Sequence, residues 1–296
     1  MKNLSQFLLA VALVFTAGTS IKAQEFQGIA YYQSKTTMDM SSWGGGRELS
    51  EQQKKQISER MKSFLEKTYV LTFNKSESLY KEEEVLEAPG RGGGWGSMMG
   101  NSFSAGPQYK NVKDKEFLQD QEFFGKQFLI KEELQGLDWK MGSETKQIGN
   151  YTCYNATATK EVDQFDWRSM RRRRGNDSEK KKDSASTEKA KADDDIMNEI
   201  EVPKTIEVIA WYTPEIPINQ GPAEYWGLPG LILEVSADRT TILCSKIVMN
   251  PEEKELIEAP DKGQEVTKKE YNEIITKKMQ EMRDMYGRRR GNSRRN

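Results

Sequence analysis

Along residues 68–80, TYVLTFNKSESLY, Tyr69, Leu71 and Phe73 alternate with polar positions, which predicts a strand with one buried face. EFQGIAYYQSKTTMDM (25–40) predicts an earlier strand, rich in Tyr and Ile after Gly28. Between them, Leu49, Gln53, Ile57, Met61, Phe64 and Leu65 recur at helical spacing and predict a helix over 47–66. From 109 to 161 come QYKNV, QEFFGKQFLIKEEL and LDWKMGSETKQIGNYTCYNATATKEV, punctuated by Gly125, Gly136, Gly142 and Gly149. Short aromatic or β-branched runs separated by turn signals predict an antiparallel meander, and no βαβ alternation supports a parallel sheet. IEVIAWYT (206–213), LPGLILEVS (228–236) and TTILCSKIVM (240–249) read as further strands. In 267–286, Tyr271, Ile274, Ile275, Met279, Met282 and Met285 form a helical stripe, with Thr267 and Glu270 in capping-box spacing. The expected class is α+β: one curved, mainly antiparallel sheet, with a half-barrel as one geometry, supported by two helices.

Four segments lack this patterning. Residues 1–23, MKNLSQFLLAVALVFTAGTSIKA, combine a basic start, a short apolar run and small residues before Ala23-Gln24, as an export signal does. Residues 87–108 carry a Gly-rich insertion, and 168–198 a low-complexity run of Arg, Lys, Asp and Ser; both are expected to be flexible. The Arg-rich tail, 283–296, is expected to fray. The organisation that follows is a signal peptide (1–23), a single β-rich domain (24–282) and a disordered tail.

Charge changes this picture by its distribution. The 296 residues hold 45 Lys+Arg and 46 Asp+Glu, close to neutral overall. Yet 168–182 carries eight basic residues against Asp177 and Glu179, and the tail carries six Arg against Asp284. Such clusters suit phosphate-bearing surfaces. Export argues against nucleic acid and favours an anionic envelope surface or an envelope protein as partner.

Chemistry is narrowed first by the absence of histidine. Ser-His-Asp and Cys-His hydrolases and His-ligated metal sites are excluded. The Met279, Met282, Met285 stripe reads as packing more readily than as a Cu(I) site, so no metal and no cofactor is assigned. Acidic runs such as Glu82-Glu83-Glu84 and Glu252-Glu253 read as solvated faces, and Glu234 and Asp238 as ends of salt bridges; no catalytic residue is assigned. Cys153 and Cys244 are the only cysteines, both in strand-like segments. In an oxidising compartment they are a candidate disulfide, with two separate buried thiols as the alternative.

The most distinctive stretch runs from Ile216 to Glu234, IPINQGPAEYWGLPGLILE. Pro214, Pro217 and Pro222 fix turn or extended backbone. Gly227-Leu228-Pro229-Gly230 demands tight geometry, and Leu231-Ile232-Leu233 enters a buried strand. Gly221, Pro222, Tyr225, Trp226, Gly227, Leu228, Pro229, Gly230, Leu231 and Ile232 are therefore the candidate site: a structural crossover, or a partner or lipid edge made by Tyr225, Trp226 and Leu228.

Residues 227–232 spell GLPGLI, and the chain resembles the GLPGLI (Porph_ging) family of exported Bacteroidota proteins of unknown function. Ile216-Pro217-Ile218, Gly221-Pro222, Leu71-Thr72-Phe73-Asn74, Trp139-Lys140, Lys146 to Tyr151 and Cys153-Tyr154 add to the resemblance. It implies export and a β-rich domain, and transfers no catalytic residues. The expected function is a non-enzymatic, periplasmic or envelope-associated binding or structural module. The alternatives are a periplasmic carrier of a lipid or other apolar ligand and, third, a carboxylate hydrolase.

Overall fold

The structure, a computed structural model, describes residues 26–37, 50–83, 105–162, 171–172, 200–201 and 204–292. The predicted signal peptide, and most of both predicted insertions, lie outside these residues. Alternating apolar positions produce strands β1 (Gly28–Thr36), β2 (Glu66–Phe73), β3 (Glu77–Glu82), β4 (Gln108–Asn111), β5 (Glu116–Phe123), β6 (Lys126–Glu133), β7 (Lys140–Ile148) and β8 (Tyr151–Glu161). After these come β9 (Arg171–Arg172), β10 (Ile200–Glu201), β11 (Thr205–Thr213), β12 (Leu231–Ala237), β13 (Thr240–Met249) and β14 (Gln264–Val266). The helices are α1 (Glu51–Leu65) and α2 (Lys268–Asn292).

Twelve strands form one open sheet in the order β14-β6-β5-β4-β3-β2-β1-β13-β12-β11-β8-β7. All pairings are antiparallel except β14 with β6. The expected α+β class, one mainly antiparallel sheet with two helices, is what forms. Register shifts at Tyr31/Tyr32, Trp211/Tyr212 and Met141/Thr145 mark bulges, which add local twist and bend. β9, inside the predicted 168–198 insertion, pairs antiparallel with β10, just beyond it.

Two expectations change. The single strand predicted over 68–80 is a hairpin, β2–β3. The Asn74 carboxamide oxygen accepts from the backbone N–H groups of Ser76 (2.8 Å) and Glu77 (2.7 Å), an Asx turn that reverses the chain inside an alternating pattern. The tail expected to fray from 283 continues as helix through Asn292. Arginine is a good helix former and no proline intervenes, so the backbone propagates past the last apolar position despite Gly287 and Gly291. At the start of this helix the predicted capping box is present: Glu270 N–H donates to Thr267 Oγ1 (3.2 Å) and Thr267 N–H to the Glu270 carboxylate (2.8 Å).

The sheet carries two main apolar clusters. The larger gathers Ala30 and Tyr32, Tyr69, Leu71 and Phe73, Tyr80, Val208, Ala210, Leu231–Leu233 and Ile242, together with Ile216, Ile218, Tyr225 and Leu228 from the β11–β12 connection. The smaller joins Phe123, Phe128 and Ile130 to Val266, Tyr271 and Ile275, so α2 covers β6 and β14. Met279 packs at its edge, in the packing role expected of that stripe.

Candidate functional site: the motif loop and its buried lysine

The chain between β11 and β12 crosses the sheet as irregular backbone. Its apolar residues drive it inward: Ile216, Ile218, Ala223, Tyr225, Leu228, Leu231 and Ile232 are all buried. Burial of a loop leaves backbone N–H and C=O groups that need partners. Part of that need is met within the loop. Leu231 N–H donates to Ile216 C=O (3.0 Å), Ile232 N–H to Gln220 C=O (3.1 Å), and Gly227 N–H to Asn219 C=O (3.1 Å). Gly227 adopts φ 93, where a side chain is strained. A Cβ on Gly230 would stand 2.1 Å from the Thr213 carbonyl oxygen, so only glycine lets the loop return so close to the end of β11.

The carbonyls that the loop cannot satisfy converge on Lys110. Its Nζ donates to Gly221 O (2.6 Å), Ala223 O (2.7 Å) and Tyr225 O (3.1 Å), and the residue has no exposed surface. An ammonium has three donors and no acceptor, which matches three convergent carbonyls. Burial pushes the Lys110 ammonium down to about 7, opposed by the Glu224 carboxylate. Three further contacts fix the loop. Ser78 Oγ donates to Gln220 Oε1 (2.8 Å), Tyr32 Oη to Ile232 O (2.7 Å), and Trp139 Nε1 to Trp226 O (2.9 Å). Trp226 Nε1 in turn donates to Gln135 O (3.0 Å). Lys160 pairs with Glu224 and lies 5.6 Å from the centre of the Tyr225 ring.

The ten candidate residues therefore come together as one buried crossover. Gly221, Pro222, Tyr225, Leu228, Gly230, Leu231 and Ile232 are buried, Trp226 is half-buried, and Gly227 and Pro229 are exposed. Tyr225 and Leu228, proposed with Trp226 as an apolar edge, point into the core and leave only Trp226 at the surface. The loop packs against the central strands of the sheet. A pocket beside the loop, between Ser34, Tyr69, Tyr80, Gln108, Glu224 and Ile242, holds about 30 Å³.

Sequence reasoning passed over Lys110. In QYKNV nothing local distinguishes a lysine bound for solvent from one bound for a loop over a hundred residues downstream. Tyr32 and Gln220 were missed for the same reason. Glu234 does form the expected salt bridge, with Lys146 at 2.7 Å; that ammonium also stands 4.4 Å from the centre of the Trp211 ring. Among the described residues no three of His, Cys, Asp and Glu could hold a metal ion. Cys153 and Cys244, the candidate disulfide, are free and buried here, on strands separated by β12 and β11. Burial pushes the Cys153 thiol up to about 11 and the Cys244 thiol to about 12.

The fold and loop define a mainly antiparallel α+β sheet domain closed by a buried proline–glycine crossover. Residues 139–234 match the family model described as "Protein of unknown function (Porph_ging)", which bears out the resemblance carried by the motif. The matched segment starts at Trp139, which holds the loop, and ends at Glu234, which Lys146 holds. No curated protein matches the chain. Solved structures described as "Structure of PNGF-II in C2 space group" and "Structure of PNGF-II in P21 space group" are similar with 12% and 13% identity and a TM-score of 0.43 each. In both cases the similarity covers 85% of this chain and 33% of the other, so this chain spans about a third of their length.

Proposed function

We propose that the protein is an exported, non-catalytic binding or structural module of the cell envelope. The supporting observation is how the motif loop is used. Its apolar side chains are packed into the core, and three of its carbonyls are bound by Lys110. A signature spent on closing the sheet serves a scaffold whose partners meet other surfaces. The leader-like 1–23 segment supports export, and no described helix is long and apolar enough to cross a membrane. The basic runs in 168–182 and 283–296 supply charge for an anionic envelope surface.

Fractionation of cells carrying the tagged full chain is the test, with mass spectrometry of the mature N-terminus. The expected result is a product beginning at Gln24 in the envelope or periplasmic fraction and no turnover on a panel of envelope substrates. Retention of the leader in the cytoplasm, or turnover abolished by Glu224→Gln or Glu234→Gln, would overturn the proposal.

A further inference from the structure

The open sheet has two edges, and they are protected unequally. β14, at one end, is three residues long and packs under α2. β7, at the other end, runs for nine residues, Lys140–Ile148, and among the described residues it pairs only with β8. Lys140 to Thr145 and Gln147 are exposed, and no proline interrupts the strand. Such an edge presents a row of backbone N–H and C=O groups that can template another strand. The hairpin shows which residues offer them. Ile148 and Tyr151 close a two-residue turn, and the Glu144 N–H donates to Asn155 Oδ1 (3.2 Å) on β8. The backbone of Glu144, Lys146 and Ile148 therefore faces inward. Sides alternate along a strand, so Ser143, Thr145 and Gln147 turn their N–H and C=O groups outward.

Charge on this edge is self-complementary in one register. Two copies of β7 can pair antiparallel about a two-fold axis only if outward residues meet outward residues. An axis at Glu144 sets Glu144 against itself, and an axis at Lys146 sets Lys146 against itself. An axis at Ser143 sets Lys146 against Lys140, and one at Gln147 runs each strand into the other copy's turn. An axis at Thr145 sets Glu144 against Lys146 on both sides of it, with Ser143 against Gln147. Like charges directly opposite destabilise a strand pair and opposite charges stabilise it. We propose that the protein forms a two-fold dimer through β7, with Thr145 of one copy opposite Thr145 of the other. The two Thr145 residues exchange N–H···O=C bonds, as do Ser143 and Gln147 of opposite copies. Lys146 Nζ already donates to Glu234 at 2.7 Å. An ammonium has three donors, so it serves the second copy's Glu144 as well. Because the β14 edge is short and lies under α2, the assembly closes at two copies.

Sedimentation velocity of the mature chain over a concentration series tests the dimer. The expected result is a doubled mass whose share grows with concentration, and no larger species. Glu144→Lys sets like charges opposite each other on both sides of the axis and should weaken the dimer about tenfold or more; Lys146→Glu should do the same. An equimolar mixture of these two variants regains both opposite-charge pairs and should dimerise again, which reads the register itself. Lys146→Glu also sets a carboxylate beside Glu234, so a third variant keeps the test independent of that pair. Thr145→Pro removes an outward N–H that β8 does not use, and should give a monomer with an unaltered circular dichroism spectrum. A wild-type chain that stays monomeric up to about 100 μM overturns the proposal. So does a dimer that Thr145→Pro leaves intact, an open series of larger species, or a mixture of the two folded charge variants that stays monomeric. Neither export nor turnover enters this measurement, so loss of the dimer leaves the envelope proposal to its own fractionation test.

Discussion

One end of the sheet and its middle are covered by opposite means. Over β6 and β14 lies a helix, α2, whose backbone hydrogen bonds beyond its first turn are made within itself; Lys268 N–H donates to the Glu132 carboxylate of β6 (2.6 Å), and Tyr271 and Ile275 supply apolar contact. Over the central strands lies an irregular loop, whose backbone groups must find partners elsewhere. That cover needs Lys110, Tyr32 and Ser78 beneath it as well as Leu228 and Tyr225 within it. A helix can be docked by hydrophobic burial alone, whereas a buried loop also demands polar side chains at fixed places. Lys110 sits on β4, which stands between the two covers, so the loop draws on a strand beyond those it packs against.

This contrast is most sharply broken at Lys110. Lys110→Met leaves three buried carbonyls without a donor and should cost about 3–5 kcal/mol, the range for removing one partner of a buried charge. Urea unfolding near neutral pH measures it; a loss below about 1 kcal/mol would show that the carbonyls find water instead. The same residue gives a pH signature. Because its folded pKa lies near 7, below that of the unfolded chain, the unfolded state binds more protons above pH 7. Wild-type stability should therefore rise from about pH 7 towards the ordinary lysine value near 10, and that rise should be missing in Lys110→Met.

Next in size is Ile275→Ala under the helix, at about 3 kcal/mol from burial and cavity terms. Hydrogen exchange should show loosened amides in β6 and β14 and an unaltered β12, while Lys110→Met should loosen the motif loop and β4. Equal loosening everywhere would merge the two regions into one cooperative unit. Gly230→Ala comes third, at about 2 kcal/mol or somewhat more, because the new Cβ meets a backbone oxygen that cannot swing away. Tyr32→Phe removes the donor to the Ile232 carbonyl and should cost about 1 kcal/mol by thermal unfolding. At the bottom of the scale, a reductant should leave the melting temperature unchanged, and Cys153 and Cys244 should react with a thiol reagent only after unfolding. A fall in melting temperature on reduction would reveal a bridge, worth roughly 4 kcal/mol for a loop of this length.

Much of this fold was legible in the alternation of the chain. Tyr69, Leu71 and Phe73 share a buried face, and the GLPG turn feeds the buried Leu231-Ile232-Leu233 run. Thr267 and Glu270 cap the last helix, because capping is a contact between residues three apart. The β2–β3 hairpin was hidden because an Asx turn inserted into an alternating run does not interrupt its period. The helical continuation to Asn292 was hidden because a polar, arginine-rich segment carries no apolar stripe to mark it.

By itself, then, the sequence determined the quantities that depend on near neighbours: strand faces, helix caps, the need for glycine in the crossover, and the family resemblance of its motif. Tertiary structure alone decided which polar residues serve the interior. Lys110 and Gln108 differ from any surface lysine or glutamine only in what folds over them. Their partners lie more than a hundred positions away at Gly221, Ala223 and Tyr225, or on the neighbouring strand at Gln119. A hydrogen bond depends on distance in space, and the period of a sequence records only which face a residue occupies.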